Sequence, residues 1–168
     1  TRYLINDLAV STNRPWCYGG AVGTTGMSAV ILPDDTPCLR CTFPEPPAPG
    51  LAPTCDTAGI LGPAIHQVAA HQAMQAIKLL SGNRDAVDTR LHSFDVWANT
   101  RHAMQHDAPR QNCPCCGNRQ FEWLQGDRVA STTVLCGRDA VQVKPAAGSE
   151  VMHLPDLARR LADHGRFH

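Results

Sequence analysis

Two cysteine knuckles, Cys38-Leu39-Arg40-Cys41 and Cys113-Pro114-Cys115-Cys116-Gly117, constrain this chain more than any other feature. A C-x-x-C turn presents two thiolates to one ion from the same side, and two such turns complete the tetrahedron of soft ligands that zinc favours. Four sulfurs leave no coordination position for water, so the role expected of the ion is structural. Cys38, Cys41, Cys113 and Cys116 are therefore the predicted zinc ligands, with Cys115 pointing out of the set. Buried free thiols or a redox pair explain isolated cysteines well but two correctly spaced pairs poorly.

Other uses of the eight cysteines fit less well. Disulfide frameworks belong to small secreted chains, and the opening Thr1-Arg2-Tyr3-Leu4 has no signal-peptide layout, which points to the cytoplasm. No apolar run approaches the roughly eighteen residues of a membrane span. Fifteen basic residues balance fifteen acidic ones without a basic block, which argues against nucleic-acid binding and leaves a zinc-ribbon nucleic-acid binder the weakest of the readings. At 168 residues and 43 % hydrophobic composition, the chain suits one domain with a small appendage.

Periodicity predicts a helix over residues 1–13, with Leu4, Leu8, Ile5 and Ala9 as its inner face. Strands are expected from Trp16 to Val22 and from Met27 to Leu32, joined by a turn over Gly23 to Gly26. Five prolines between Pro44 and Pro53 exclude regular structure there. The longest predicted helix runs from Ala64 to Ser81, started by Pro63 and stopped by Gly82. Its expected inner face is Ile65, Val68, Ala69, Ala73, Ala76, Ile77 and Leu80. Arg90 to Val96 and Thr100 to His106 read as a strand hairpin. Beyond Gly117, Phe121 to Leu124, Thr132 to Cys136 and Ala140 to Val143 read as short strands, and Leu154 to His164 as a helix.

Several motifs then resemble the ThiF, MoeB and HesA proteins, bacterial relatives of ubiquitin-activating enzymes. They are Thr1-Arg2-Tyr3-Leu4-Ile5-Asn6, Pro37-Cys38-Leu39-Arg40-Cys41-Thr42-Phe43-Pro44-Glu45-Pro46-Pro47 and Thr54-Cys55-Asp56-Thr57-Ala58-Gly59-Ile60-Leu61-Gly62-Pro63, followed by the second knuckle. The run from Gln72 to Leu80 also resembles the long helix of that family. The resemblance covers Thr1 to about Gly117. It implies the C-terminal half of a mixed-sheet, Rossmann-like α/β fold with a structural zinc site, residues 118–168 forming a small α+β extension. It also implies an enzyme that uses ATP and magnesium to adenylate the C-terminal glycine of a ubiquitin-like sulfur carrier such as ThiS or MoaD, and that is usually a homodimer.

In such enzymes the proline-rich segment, here about Phe43 to Gly59, crosses the active site, and the carrier's tail passes beneath it. Cys55 matches the position that can bond covalently to the carrier, making it the candidate catalytic residue. Read from the residues alone, Cys55 is either a thiol activated at a helix start or an inert one. Arg2 and Asn6 match a family motif near the pocket, but solvation of a helix surface explains them equally. The family's glycine-rich nucleotide loop, phosphate-binding cations and magnesium-binding Asp have no counterpart, since Gly19, Gly20, Gly23 and Gly26 do not make G-x-G-x-x-G. The chain is thus expected to need an N-terminal half for ATP chemistry. The alternative is a non-catalytic, zinc-stabilised module for protein binding or dimerisation.

Overall fold

A computed structural model of the chain describes residues 1–47, 51–105, 108–128, 132–135, 140–143 and 153–162. His106, Cys136 and His164 lie outside them. The chain divides into two compact units, the larger reaching residue 129 and the smaller built from later segments.

In the larger unit, helix α1 (Arg2–Ser11) leads into strands β1 (Trp16–Val22) and β2 (Thr25–Ile31). These form a hairpin closed by Gly23 and Thr24, with Val22 opposite Thr25. Gly23 takes φ of +58°, a left-handed conformation that glycine adopts without a steric cost. A one-turn helix α2 (Leu39–Thr42) carries the first knuckle, and α3 (Cys55–Ala58) is another single turn. The long helix α4 (Gly62–Leu80) follows, then strands β3 (Leu91–Asp95) and β4 (Thr100–Met104). The sheet runs β1-β2-β3-β4 with antiparallel neighbours throughout.

Helix α4 has Pro63 in its first turn. It ends in a Schellman cap, in which Asn83 N–H donates to Lys78 O (2.9 Å) and Gly82 N–H to Leu79 O (3.2 Å). The β3–β4 turn is held by the Asp95 carboxylate, whose Oδ1 accepts from the amides of Trp97 and Ala98 at 2.8 and 2.9 Å.

Two helix faces differ from expectation. In α1, Leu4, Ile5 and Leu8 are 42 %, 42 % and 51 % exposed, whereas Asn6 and Asp7 are fully buried beside Ala9 and Val10. In α4, Ala64, Val68 and Gln75 are buried, while Ile65, Ile77 and Leu80 face outward. The inward polar groups are tolerated because each finds a partner. Gln72 Nε2 donates to Cys17 O at 2.9 Å, and His71 Nδ1 lies 3.0 Å from the buried Ser28 Oγ. Gly26 lets α4 approach closely, for a Cβ there would strike Phe94 and lie 2.8 Å from Val68.

Phe121 to Leu124 forms no strand. Helix α5 (Glu122–Gln125) occupies most of that stretch, started by Asp7, whose Oδ2 accepts from the amides of Trp123 (2.9 Å) and Leu124 (3.2 Å). A carboxylate at a helix start satisfies amides that have no partner within the helix, and that contact outweighs the local strand pattern. Residues 118–128, placed in the extension from the sequence, thus pack with the larger unit.

In the smaller unit, β5 (Thr132–Leu135) and β6 (Ala140–Val143) form an antiparallel hairpin, and α6 spans Leu154–Ala162. Among the described residues no helix is long and apolar enough to cross a membrane.

Candidate functional site

The two knuckles meet although their cysteines stand 75 residues apart in sequence. Cys38, extended at φ −75°, starts α2, and the Cys41 amide returns to Cys38 O at 3.0 Å. In the second knuckle the amides of Gly117 and Asn118 both donate to Cys113 O, at 3.0 and 2.8 Å. Gly117 is required there, since a Cβ would collide with the Gln111 carbonyl.

The four predicted ligand sulfurs all lie within 4.8 Å of one another. Cys38 Sγ is 4.0 Å from Cys41 Sγ and 3.6 Å from Cys113 Sγ, and Cys41 Sγ is 3.4 Å from Cys116 Sγ. A zinc tetrahedron with bonds of about 2.3 Å has sulfur–sulfur edges near 3.8 Å. Both the spacing and the donor set therefore fit a metal such as zinc. Hydrogen bonds from Cys115, Cys116 and Cys41 hold the Cys38 thiol far below its ordinary range. Their bonds to Cys38 push Cys115 and Cys116 above it.

Cys115 stands outside the ligand set but is fully buried, accepting a hydrogen bond from Asn6 Nδ2 at 3.2 Å. The other end of the same amide, Asn6 Oδ1, accepts from Leu39 N–H at 2.8 Å. Asn6 therefore bridges both knuckles and is no solvated surface residue. Its signal in the sequence was the family motif alone, because nothing in α1's periodicity marks position 6 as inward.

A second site lies against β1 and β2. A groove of about 420 Å³ runs between Gly20 and Met27 on the sheet, Arg2 and Tyr18 at one wall, and Pro47 and Cys55 on the proline-rich segment. We call the described residues 43–47 and 51–59 the strap. Its near end is fixed by Tyr3, whose hydroxyl donates to Phe43 O at 3.1 Å. Its far end is stitched to the hairpin tip, with Gly23 N–H donating to Gly59 O (2.9 Å) and Leu61 N–H to Gly23 O (2.8 Å). Cys55 is exposed at the groove's rim, in a single turn capped by Thr54. One turn carries little of the dipole that a longer helix would bring to its first residue. Cys17 lies in β1 with its thiol pushed up by burial, as a packed residue should.

The third polar group was not foreseen. Ser28, His71 and Gln75 form a seam between α4 and the sheet, joined by Gln75 Nε2 at 3.3 Å from His71 Nε2 and by the Asp88 amide donating to Gln75 Oε1 at 3.0 Å. The His92 ring lies 4.6 Å from that of His71, tilted by 48°, and places Nε2 3.0 Å from Asp88 Oδ2. Burial, then the neighbouring His92, lowers the His71 pKa.

Comparison with known proteins agrees with this geometry. The model of the ThiF family matches residues 1–115. The sulfur carrier protein ThiS adenylyltransferase of Bacillus subtilis (strain 168) is 39 % identical over 170 residues, covering 98 % of this chain and 48 % of that protein. The SAMP-activating enzyme E1 of Haloferax volcanii is 38 % identical over 135 residues, covering 80 % of this chain and 49 % of that protein. The chain thus spans about half the length of these curated relatives. The crystal structure of E. coli MccB shares the fold with a TM-score of 0.54 at 18 % identity, over 69 % of this chain and 36 % of MccB.

Proposed function

This chain belongs to the ThiF family, and we propose that it is the C-terminal half of an ATP-dependent adenylyltransferase that activates the C-terminal glycine of a ubiquitin-like sulfur carrier. The observation that carries this reading is the groove beneath the strap, open along Gly20 and edged by an exposed thiol. A narrow trench beside a glycine accepts an extended tail that itself lacks bulk. The names of the relatives from Bacillus subtilis and Haloferax volcanii support the same class of substrate.

Zinc, held by Cys38, Cys41, Cys113 and Cys116, supplies a structural clasp and no chemistry. The remaining half of the enzyme supplies the groups that bind ATP and magnesium, and the complete protein works in the cytoplasm as a homodimer. Residues 1–117 belong to the adenylating domain, residues 118–128 pack with it, and the later segments form an extension. On this chain, Arg2 lies at the groove wall, where a cation can meet an anionic tail, and Pro47, Pro53 and Thr54 of the strap line the groove. The carrier's carboxylate attacks the α-phosphorus of ATP, forming the acyl adenylate as pyrophosphate leaves. Cys55 can then add its thiolate to the acyl carbon, releasing AMP and leaving a thioester.

The test is ATP–pyrophosphate exchange in the presence of a carrier ending in glycine. Residues 1–168 alone should show none, and activity should appear when the N-terminal half is supplied. Cys55→Ala in the complete enzyme should keep exchange while abolishing any covalent adduct, read by intact mass. Exchange by the chain alone would refute the half-enzyme reading.

A further inference from the structure

Arg40 sits between two ligand cysteines, yet its side chain is aimed away from them and is only 2 % exposed. Its Nη1 donates to Glu122 Oε2 at 2.9 Å and its Nη2 to Glu45 Oε1 at 3.4 Å. Arg128 completes the circuit, with Nη1 donating to Glu45 Oε2 at 3.2 Å and Nε 3.4 Å from Glu122 Oε2. Two cations and two anions therefore alternate around a closed ring. Its corners belong to different segments: Arg40 to the first knuckle, Glu45 to the root of the strap, Glu122 and Arg128 to α5 and the turn after it.

The ring is unequal in burial. Arg40 is sealed, Glu122 is 28 % exposed, and Glu45 and Arg128 are 50 % and 45 % exposed. A sealed guanidinium is costly unless its carboxylates stay in place, so it holds them firmly. Arg40 in turn is aimed by α2, a single turn that cannot hold its shape unaided. What fixes α2 is the knuckle: Cys38 and Cys41 on one side and Asn6 on the other.

We propose that Arg40 is a positioning residue that fastens the root of the strap to the metal knuckle, so that metal occupancy of the four-thiolate site sets how tightly the strap is held over its groove. The ion orders α2, α2 aims Arg40, and Arg40 with Arg128 holds Glu45. Removal of the ion frees α2 to rotate and releases Glu45. None of these links requires the reaction assigned to the groove.

The experiment compares the zinc-loaded chain with Glu45→Ala, Arg40→Lys and Arg40→Met. Chymotrypsin cutting after the exposed Leu51 in the strap is followed by mass spectrometry, with cutting at the buried Phe94 as the gauge of global opening. Zinc content is measured in parallel. Glu45→Ala should keep its zinc and be cut after Leu51 several-fold faster, with cutting at Phe94 unchanged. Arg40→Met should be cut faster still. Arg40→Lys should fall between it and the parent, because a lysine engages one carboxylate where the guanidinium engages two. Chelation should speed cutting after Leu51 in the parent and add little in Arg40→Met.

Raising salt to about 1 M should speed cutting of the parent more than of Glu45→Ala, since only the parent has the exposed Glu45–Arg128 pair that holds the strap. Glu45→Ala and Arg40→Lys cut at the parental rate with zinc retained would overturn the proposal. So would a chelator effect as large in Arg40→Met as in the parent. If Arg40→Met does not fold, Glu45→Ala decides the matter, since its side chain lies half in solvent.

Discussion

Ten buried side chains gather around the knuckles, four of them cysteines, while the contact between α4 and the sheet buries only Ala64, Val68 and Phe94 as its apolar core. The first region is closed: α1, the β1–β2 hairpin, both knuckles and α5 converge on it, and its polar members Asn6 and Asp7 are each tied to backbone amides. The second is held by direction more than by area. Ser28, His71, Gln72 and Gln75 fix where α4 lies, while its larger apolar residues Ile65, Met74, Ile77 and Leu80 point the other way. One region is specified by what it encloses, the other by what it hydrogen-bonds. Disturbing the first should therefore be far more costly than disturbing the second.

The largest effect should come from the ligands. Cys38→Ser or Cys116→Ser should weaken zinc binding, measured by competition with a chelating dye, by more than the roughly 100-fold typical of losing an outer partner. Asn6→Ala removes such a partner and should cost about 10–100-fold, whereas Cys115→Ser should leave the stoichiometry at one zinc. Loss of zinc from Cys115→Ser with retention by Cys116→Ser would reassign the second knuckle.

A smaller effect separates the regions by pH. His71 has its folded-state pKa below the ordinary imidazole value, so its contribution to stability is complete above about pH 6.5. That contribution falls as pH drops from there towards the folded value, because the unfolded chain takes up the proton first. The urea midpoint of the parent should thus fall more steeply between pH 7 and pH 6 than that of His71→Gln. Parallel curves would remove His71 from the seam's energetics.

The smallest effect belongs to the outer face of α4. Leu80, 89 % exposed, and Ile77, 58 % exposed, should tolerate serine at a cost within about 0.5 kcal/mol in the isolated chain. A larger loss in urea denaturation would mean that this face packs against a second copy.

The same contrast explains which parts of the molecule were legible in its sequence. Cysteine spacing announces a cluster of four sulfurs whatever surrounds it, and Pro63 and Gly82 mark the ends of α4 through backbone chemistry alone. Burial of α1 and α4 was read from apolar periodicity and came out rotated, because Asn6, Asp7, His71 and Gln72 have partners remote in sequence. Asp7 meets Trp123 across 116 positions, and the same contact turned an expected strand into α5. The pairing of Arg40 with Glu122 joins residues 82 positions apart, and no local pattern in the sequence marks it.

The separation of the ligands has a topological consequence. With an ion in place, the cysteine pairs close a loop 75 residues long that contains the strap, α4 and the β3–β4 hairpin. If the ion constrains the unfolded chain as a covalent cross-link would, that loop removes chain entropy worth roughly 4–5 kcal/mol. It also makes the backbone between the knuckles dispensable as a tether. A chain severed once in the strap would still have its two pieces joined through the ion, in addition to the β2–β3 pairing and the Asp7 contact with α5.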